Sequence, residues 1–233
     1  MKVRHVLLVM ALSAQVVALT ACGSTSPTGS SAEETVWIHG YYLNMTTSPR
    51  LTWPTCVVDA RLGDAEGDEV EDLSVMCNGQ NLPFDLGVYS ADIAVVPPGG
   101  GVAFEVSGIG SSLAASLVVP EGPSGVELAE GDWDFSSPSG THTLSWDNPG
   151  TVADSLVVVI VGEGPHSWNI VSYSEVLPAS AESLTVVNSQ LPPFDLSYRI
   201  EVGVFQANVT EFAGYAGDSK LWARCGPVAT WNR

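Results

Sequence analysis

Short apolar runs separated by turn residues recur along this chain from residue 36 to its end, and most of them alternate. Alternation puts successive side chains on opposite faces of a strand; no window shows the sustained three-and-four spacing of an amphipathic helix. Residues 36–42, Val-Trp-Ile-His-Gly-Tyr-Tyr, are aromatic and β-branched, as strands favour. Residues 56–62 form a second run that ends in an acidic turn, and 73–77 form a third. Asn78-Gly79 follows directly, the strongest short signal for a two-residue hairpin, with 80–84 as the return strand. Runs at 89–96, 102–106 and 113–119, with Pro97-Pro98-Gly99-Gly100 as a turn, complete a first unit. Runs at 141–146, 156–161, 183–187, 198–205 and 220–224 make a second. Residues 156–161, Leu-Val-Val-Val-Ile-Val, are apolar on both faces and belong inside a sheet. Many short strands with polar turns predict an all-β fold of two β-sandwich modules.

Pro120-Glu121-Gly122-Pro123-Ser124-Gly125 breaks the pattern with two prolines and two glycines, which places a domain boundary between 36–119 and 120–233. The halves also echo each other. Asn78, Gln80, Pro83, Phe84, Asp85 and Leu86 recur as Asn188, Gln190, Pro193, Phe194, Asp195 and Leu196. Duplication is one reading and repeated turn chemistry the other; two copies are too few to establish a period.

The beginning of the chain follows other rules. Lys2 and Arg4 precede an apolar run at 6–12, and small residues precede a cysteine, the layout of a secretory signal over 1–21. Leu19-Thr20-Ala21-Cys22 resembles the lipobox of bacterial lipoproteins. The resemblance implies that the Cys22 thiol is diacylated and becomes the first residue after cleavage. The chain would then be held at the bacterial cell envelope by acyl chains, two or more of which bind stably. Residues 22–35, rich in Gly, Ser and Thr, are expected to be a flexible tether. Gly23 stands where enteric lipoproteins kept at the inner membrane carry Asp, so the resemblance leans toward the outer membrane.

Leu144-Ser145-Trp146, the run 156–161, and Leu191-Pro192-Pro193 leading to Tyr198 resemble a fibronectin type III or other immunoglobulin-like domain. The resemblance makes Tyr198 the corner tyrosine, whose hydroxyl bonds back to the turn. The first unit more loosely resembles compact immunoglobulin-like or transthyretin-like modules. Such folds do not by themselves imply a function.

Charge narrows the partners. Lys2 and Arg4 leave with the signal, so the remaining 212 residues set six basic side chains against 26 acidic ones, a formal charge of −20. Nucleic-acid affinity comes from neutralising phosphates with Lys and Arg, so nucleic acid is excluded as a partner. A basic patch for anionic lipid is excluded too.

Candidate chemistry is sparse. Cys56 and Cys77 lie at the ends of neighbouring predicted strands, which suits a disulfide worth about 3 kcal/mol in the chain-entropy picture; Cys225 is then the odd one. Asp64, Glu66 and Asp68 place oxygens at alternate positions, as calcium loops do, but Glu69 stands where the sharp turn wants Gly. A solvated hairpin tip is the plainer reading, and no cofactor is expected. His39, His142 and His166 lack a second ligand at metal spacing. His142 shares parity with Leu144 and Trp146 and reads as a partly buried strand residue. No nucleophile elbow or nucleotide loop is present. Trp168, in Gly164-Pro165-His166-Ser167-Trp168, is a candidate for stacking on a ligand. Together these features predict a non-catalytic envelope lipoprotein that binds or adheres to an envelope protein or glycan. The alternatives are an accessory component of an envelope assembly and a hydrolase with an unrecognised site.

Overall fold

The computed structural model describes residues 36–47, 53, 55–109, 111–129, 139–150, 153–163, 170–190, 199–211 and 218–232. The signal segment, Cys22, the tether, Trp168 and the proline turn with Tyr198 lie outside the described residues.

Sixteen strands fill the described chain. The first half holds β1 (Val36–Met45), β2 (Cys56–Leu62), β3 (Ser74–Cys77), β4 (Gln80–Asn81), β5 (Phe84–Asp85), β6 (Val88–Ala91), β7 (Gly101–Ile109) and β8 (Ser111–Val118). The second holds β9 (Ser124–Leu128), β10 (Thr141–Asp147), β11 (Ser155–Glu163), β12 (Ile170–Leu177), β13 (Ser183–Val187), β14 (Arg199–Glu211), β15 (Lys220–Gly226) and β16 (Val228–Asn232). The protein is an all-β sandwich. Among the described residues the helical content is a single 3-10 turn at Asn188–Gln190. The hairpin at Asn78-Gly79 forms as its residues dictate, both with positive φ (50° and 74°).

One nine-stranded sheet runs through both halves in the order β12-β11-β14-β15-β1-β2-β6-β5. β16 continues the line of β15 along β14: Gln206 faces Cys225 and Gly203 faces Val228 in one unbroken register. The break between them is Pro227, which has no N–H for the ladder while its carbonyl still accepts from Val204 N at 3.1 Å. β15 pairs with β1 in parallel, and every other ladder of this sheet is antiparallel.

Two smaller sheets, β4-β3-β7-β8 and β13-β10-β9, supply the opposing layers. The first core gathers Ile38, Tyr42, Val58, Val75, Phe104 and Leu117; the second gathers Leu144, Trp146, Leu156, Val158, Ile160 and Val202. Residues paired across a ladder project to the same face, and Gln206, two positions beyond Val204, pairs with Cys225. Both cores therefore lie on one face of the long sheet. Leu221, Ala223 and Cys225, near the end of the chain, complete the first core. The boundary expected at residue 120 falls between β8 and β9, but the long sheet crosses it.

The opposite face of the long sheet carries a third cluster: Tyr41, Leu43, Trp53, Val157, Phe205 and Trp222 among others. Expected alternation explains the division. On β11 Leu156, Val158 and Ile160 turn to the second core while Val157, Val159 and Val161 turn to this outer face, so the strand is apolar on both sides and interior, as predicted.

Candidate functional site

The outer face is built from β11, β14, β15, β1 and β2, whose registers align side chains into rows. On β1 the odd positions, Trp37, His39 and Tyr41, point outward, while Ile38 and Tyr42 enter the first core. Gly40 lies on the core side, where a Cβ would come within 2.8 Å of the Leu221 and Val58 side chains. One row across the sheet reads Glu211, Lys220, His39, Asp59; the next reads Val209, Trp222, Tyr41, Val57. Arg224 follows, opposite Ala207 on one side and Leu43 on the other.

Ring contacts link the rows. Trp37 and His39 stack with centroids 5.6 Å apart and planes 8° from parallel. Trp222 Nε1 donates to His39 Nε2 at 3.2 Å, which makes that nitrogen an acceptor and the imidazole neutral. Burial, then the charges of Arg224 and Lys220, push the His39 pKa down to about 4. The charged neighbours are partly paired: Arg61 bonds Asp59 at 3.1 Å, and Lys220 lies 3.5 Å from Glu211. Burial raises the Asp59 pKa against the opposing pull of Arg61.

Arg224 is the unusual group. It is 2 % exposed, with its guanidinium carbon 4.9 Å from the centroid of Tyr41 and 5.3 Å from that of Trp222. Its Nε and Nη2 are buried and make no hydrogen bond. Burial pushes its pKa down to about 10, so it is still charged at neutral pH. Each ring contributes up to about 2 kcal/mol when desolvated, and each unmade buried donor costs about 1–3 kcal/mol. The two terms are of the same size, so the rings leave the guanidinium near balance. Burial also raises the Tyr41 pKa, to about 12, against the opposing pull of Arg224.

At the other end of the face, Trp53 from the loop after β1 lies over Gly203 and against Phe205, with ring centroids 6.0 Å apart. Its Nε1 donates to the fully buried Glu201 at 2.9 Å.

The residues singled out by sequence fare differently. Cys56 and Cys77 are not joined: both are free, buried thiols, as is Cys225. They sit on facing layers, β2 in the long sheet and β3 in the small one, rather than on paired strands. The two thiols meet across the core as hydrogen-bond partners, and burial first, that bond second, raises the Cys56 pKa well above its usual range. Asp64, Glu66 and Asp68 occupy the exposed turn after β2, where Asp64 accepts from the Glu66 backbone N–H at 2.9 Å. Among the described residues no group of three His, Cys, Asp or Glu side chains is arranged to hold a metal ion. His142 is 3 % exposed on the core face of β10. Arg224 and Trp222 were not singled out by sequence; the alternation that puts Trp37, His39 and Tyr41 on one side of β1 is the signal that could have found this face.

No family description and no curated protein matches this chain. Among solved structures it is similar to a two-domain fibronectin type III segment of chicken tenascin, at 12% identity over 76% of this chain and 92% of that one, with a TM-score of 0.30. It is also similar to domains FN1–FN3 of chicken CNTN1, at 12% identity over 86% of this chain and 64% of that one, with a TM-score of 0.27.

Proposed function

We propose that this chain is a lipid-anchored envelope protein, held through Cys22 at the outer membrane, whose non-catalytic sandwich body binds an envelope glycan or protein through the outer face of its long sheet. The observation that carries the reading is the half-buried Trp37–His39 stack at the start of β1. Flat aromatic surface held rigidly on a strand is the kind of group that anchors partners. The stack stands directly after the tether, which extended spans at most about 50 Å from Cys22. No helix among the described residues is long and apolar enough to cross a membrane; in this reading the acyl chains on Cys22 make the attachment.

Two measurements test the proposal. Mass spectrometry of the membrane fraction is expected to find Cys22 acylated, and Cys22→Ser to release the protein; retention of that variant would refute the anchor. Trp37→Ala is expected to weaken retention of the soluble mature chain on isolated envelope material by about tenfold or more, the scale of one aromatic anchor. Equal retention of both proteins would remove the outer face from the function and leave the accessory role.

A further inference from the structure

We propose that Arg224 anchors a site for a singly charged carboxylate on the outer face of the long sheet, gripped side-on between Tyr41 and Trp222. This deepens the reading of that face as a binding surface and rests on it. The starting point is geometric. The Nε–H and Nη2–H groups of a guanidinium lie on one edge, parallel and spaced to meet the two oxygens of a carboxylate. In Arg224 it is this edge that is buried and makes no hydrogen bond. Tyr41 and Trp222, over whose rings the guanidinium carbon lies, do not substitute for it, because a ring face offers no pair of acceptor oxygens to match that edge.

The acids described on this face are committed elsewhere. Asp59 is bonded to Arg61, Glu211 is paired with Lys220, Glu163 is paired with Arg199, and Glu201 accepts from Trp53. Charge selects among anions. Arg224 is one unpaired cation in a chain that carries −20 after the signal, so a single negative charge fits and a phosphate dianion is repelled. Arg224, Tyr41 and Trp222 are 2, 5 and 7 % exposed, which favours a carboxylate on a small or flat carrier.

The test uses the whole mature chain, residues 22–233 with Cys22→Ser, and follows tryptophan fluorescence and calorimetry on adding acetate, glucuronate, N-acetylglycine, glucose or inorganic phosphate. Saturable binding of a carboxylate, with glucose and phosphate weaker by about tenfold or more, is expected. Glucuronate against N-acetylglycine then separates a sugar acid from a peptide terminus. Arg224→Met should abolish the response and Arg224→Lys weaken it by about tenfold, since an ammonium cannot make the fork. Arg224→Met should fold with an unchanged or higher Tm, because it deletes a buried charge. Absence of any carboxylate response, a response unchanged in Arg224→Met, or phosphate binding more tightly would overturn the site. A marked loss of Tm in Arg224→Met without carboxylate binding by the parent would also overturn it, as the sign of an internal partner. Loss of envelope retention in Trp37→Ala alongside any of these results would retain the outer face and reject only the carboxylate.

Discussion

His39 is held neutral by its surroundings rather than by a partner of opposite charge. Burial raises the cost of a proton there most, Arg224 and Lys220 on β15 add to it, Trp222 occupies Nε2, and on β2 Asp59 is bonded to Arg61. The linkage has a definite sign. The unfolded chain takes up a proton on this residue near pH 6.5, whereas the folded chain does so only near pH 4. The contribution to stability is therefore complete above pH 6.5 and is lost as pH falls from 6.5 toward 4. The ring is partly exposed, so the loss is set at about 1–2 kcal/mol, below the full value such a shift would imply in a dry site. Thermal melts of the parent and of His39→Gln should diverge across that window by about 2–8 °C for a chain of this length. A constant Tm difference between the two from pH 7.5 to 4 would show that His39 is not the titrating group. Residue roles of this kind were half legible. Alternation along 36–42 is enough to give Trp37, His39 and Tyr41 a common face, but Arg224, flanked by Ala223 and Cys225, reads as an ordinary strand residue until its partners are known.

Among the elements, β15 has the widest reach. It stands between β14 and β1 and gives Leu221, Ala223 and Cys225 to the first core and Trp222 to the outer cluster. Leu221 is fully buried, so Leu221→Ala should cost about 2–5 kcal/mol through lost burial and the cavity left behind. Urea unfolding would check it, and a cost below about 1 kcal/mol would mean that β15 is not integral to the first core. The strand itself was legible at 220–224, as were 56–62, 141–146, 156–161 and 183–187, where apolar residues alternate or run together. Its parallel pairing with β1 was not, because contacts across some 180 residues leave no local pattern. Three strands escaped notice. β9 begins inside the Pro/Gly-rich stretch that reads as a junction. β12, Ile-Val-Ser-Tyr-Ser-Glu-Val-Leu, is an edge strand diluted by serine, and β16 lies beyond Pro227. The disulfide failed for a related reason: proximity along the sequence suggested paired strands for Cys56 and Cys77, whereas they belong to different layers.

At the scale of the molecule, the shared sheet changes what two modules mean. Modules strung on a linker would each keep a private core and open independently. Here the two cores lie on one face of a continuous sheet, and β14 and β15 join them through six paired positions from Gln206–Cys225 to Glu211–Lys220. Opening the second core frees β14, and with it one neighbour of β15, on which the first core depends. Leu144, fully buried on β10 in the second core, allows a clean trial. Leu144→Ala should lower stability by about 2–5 kcal/mol, and the loss should appear equally in both halves. Native-state hydrogen exchange gives the readout: the slowest amides of β7, over the first core, and of β10, over the second, should lose protection by the same free energy. Coupled loss would mean that any partner bound on one half stabilises the whole body. Protection lost in β10 alone, with β7 unchanged, would show that the sheet is continuous in geometry but divided in energy, and that each half folds by its own account.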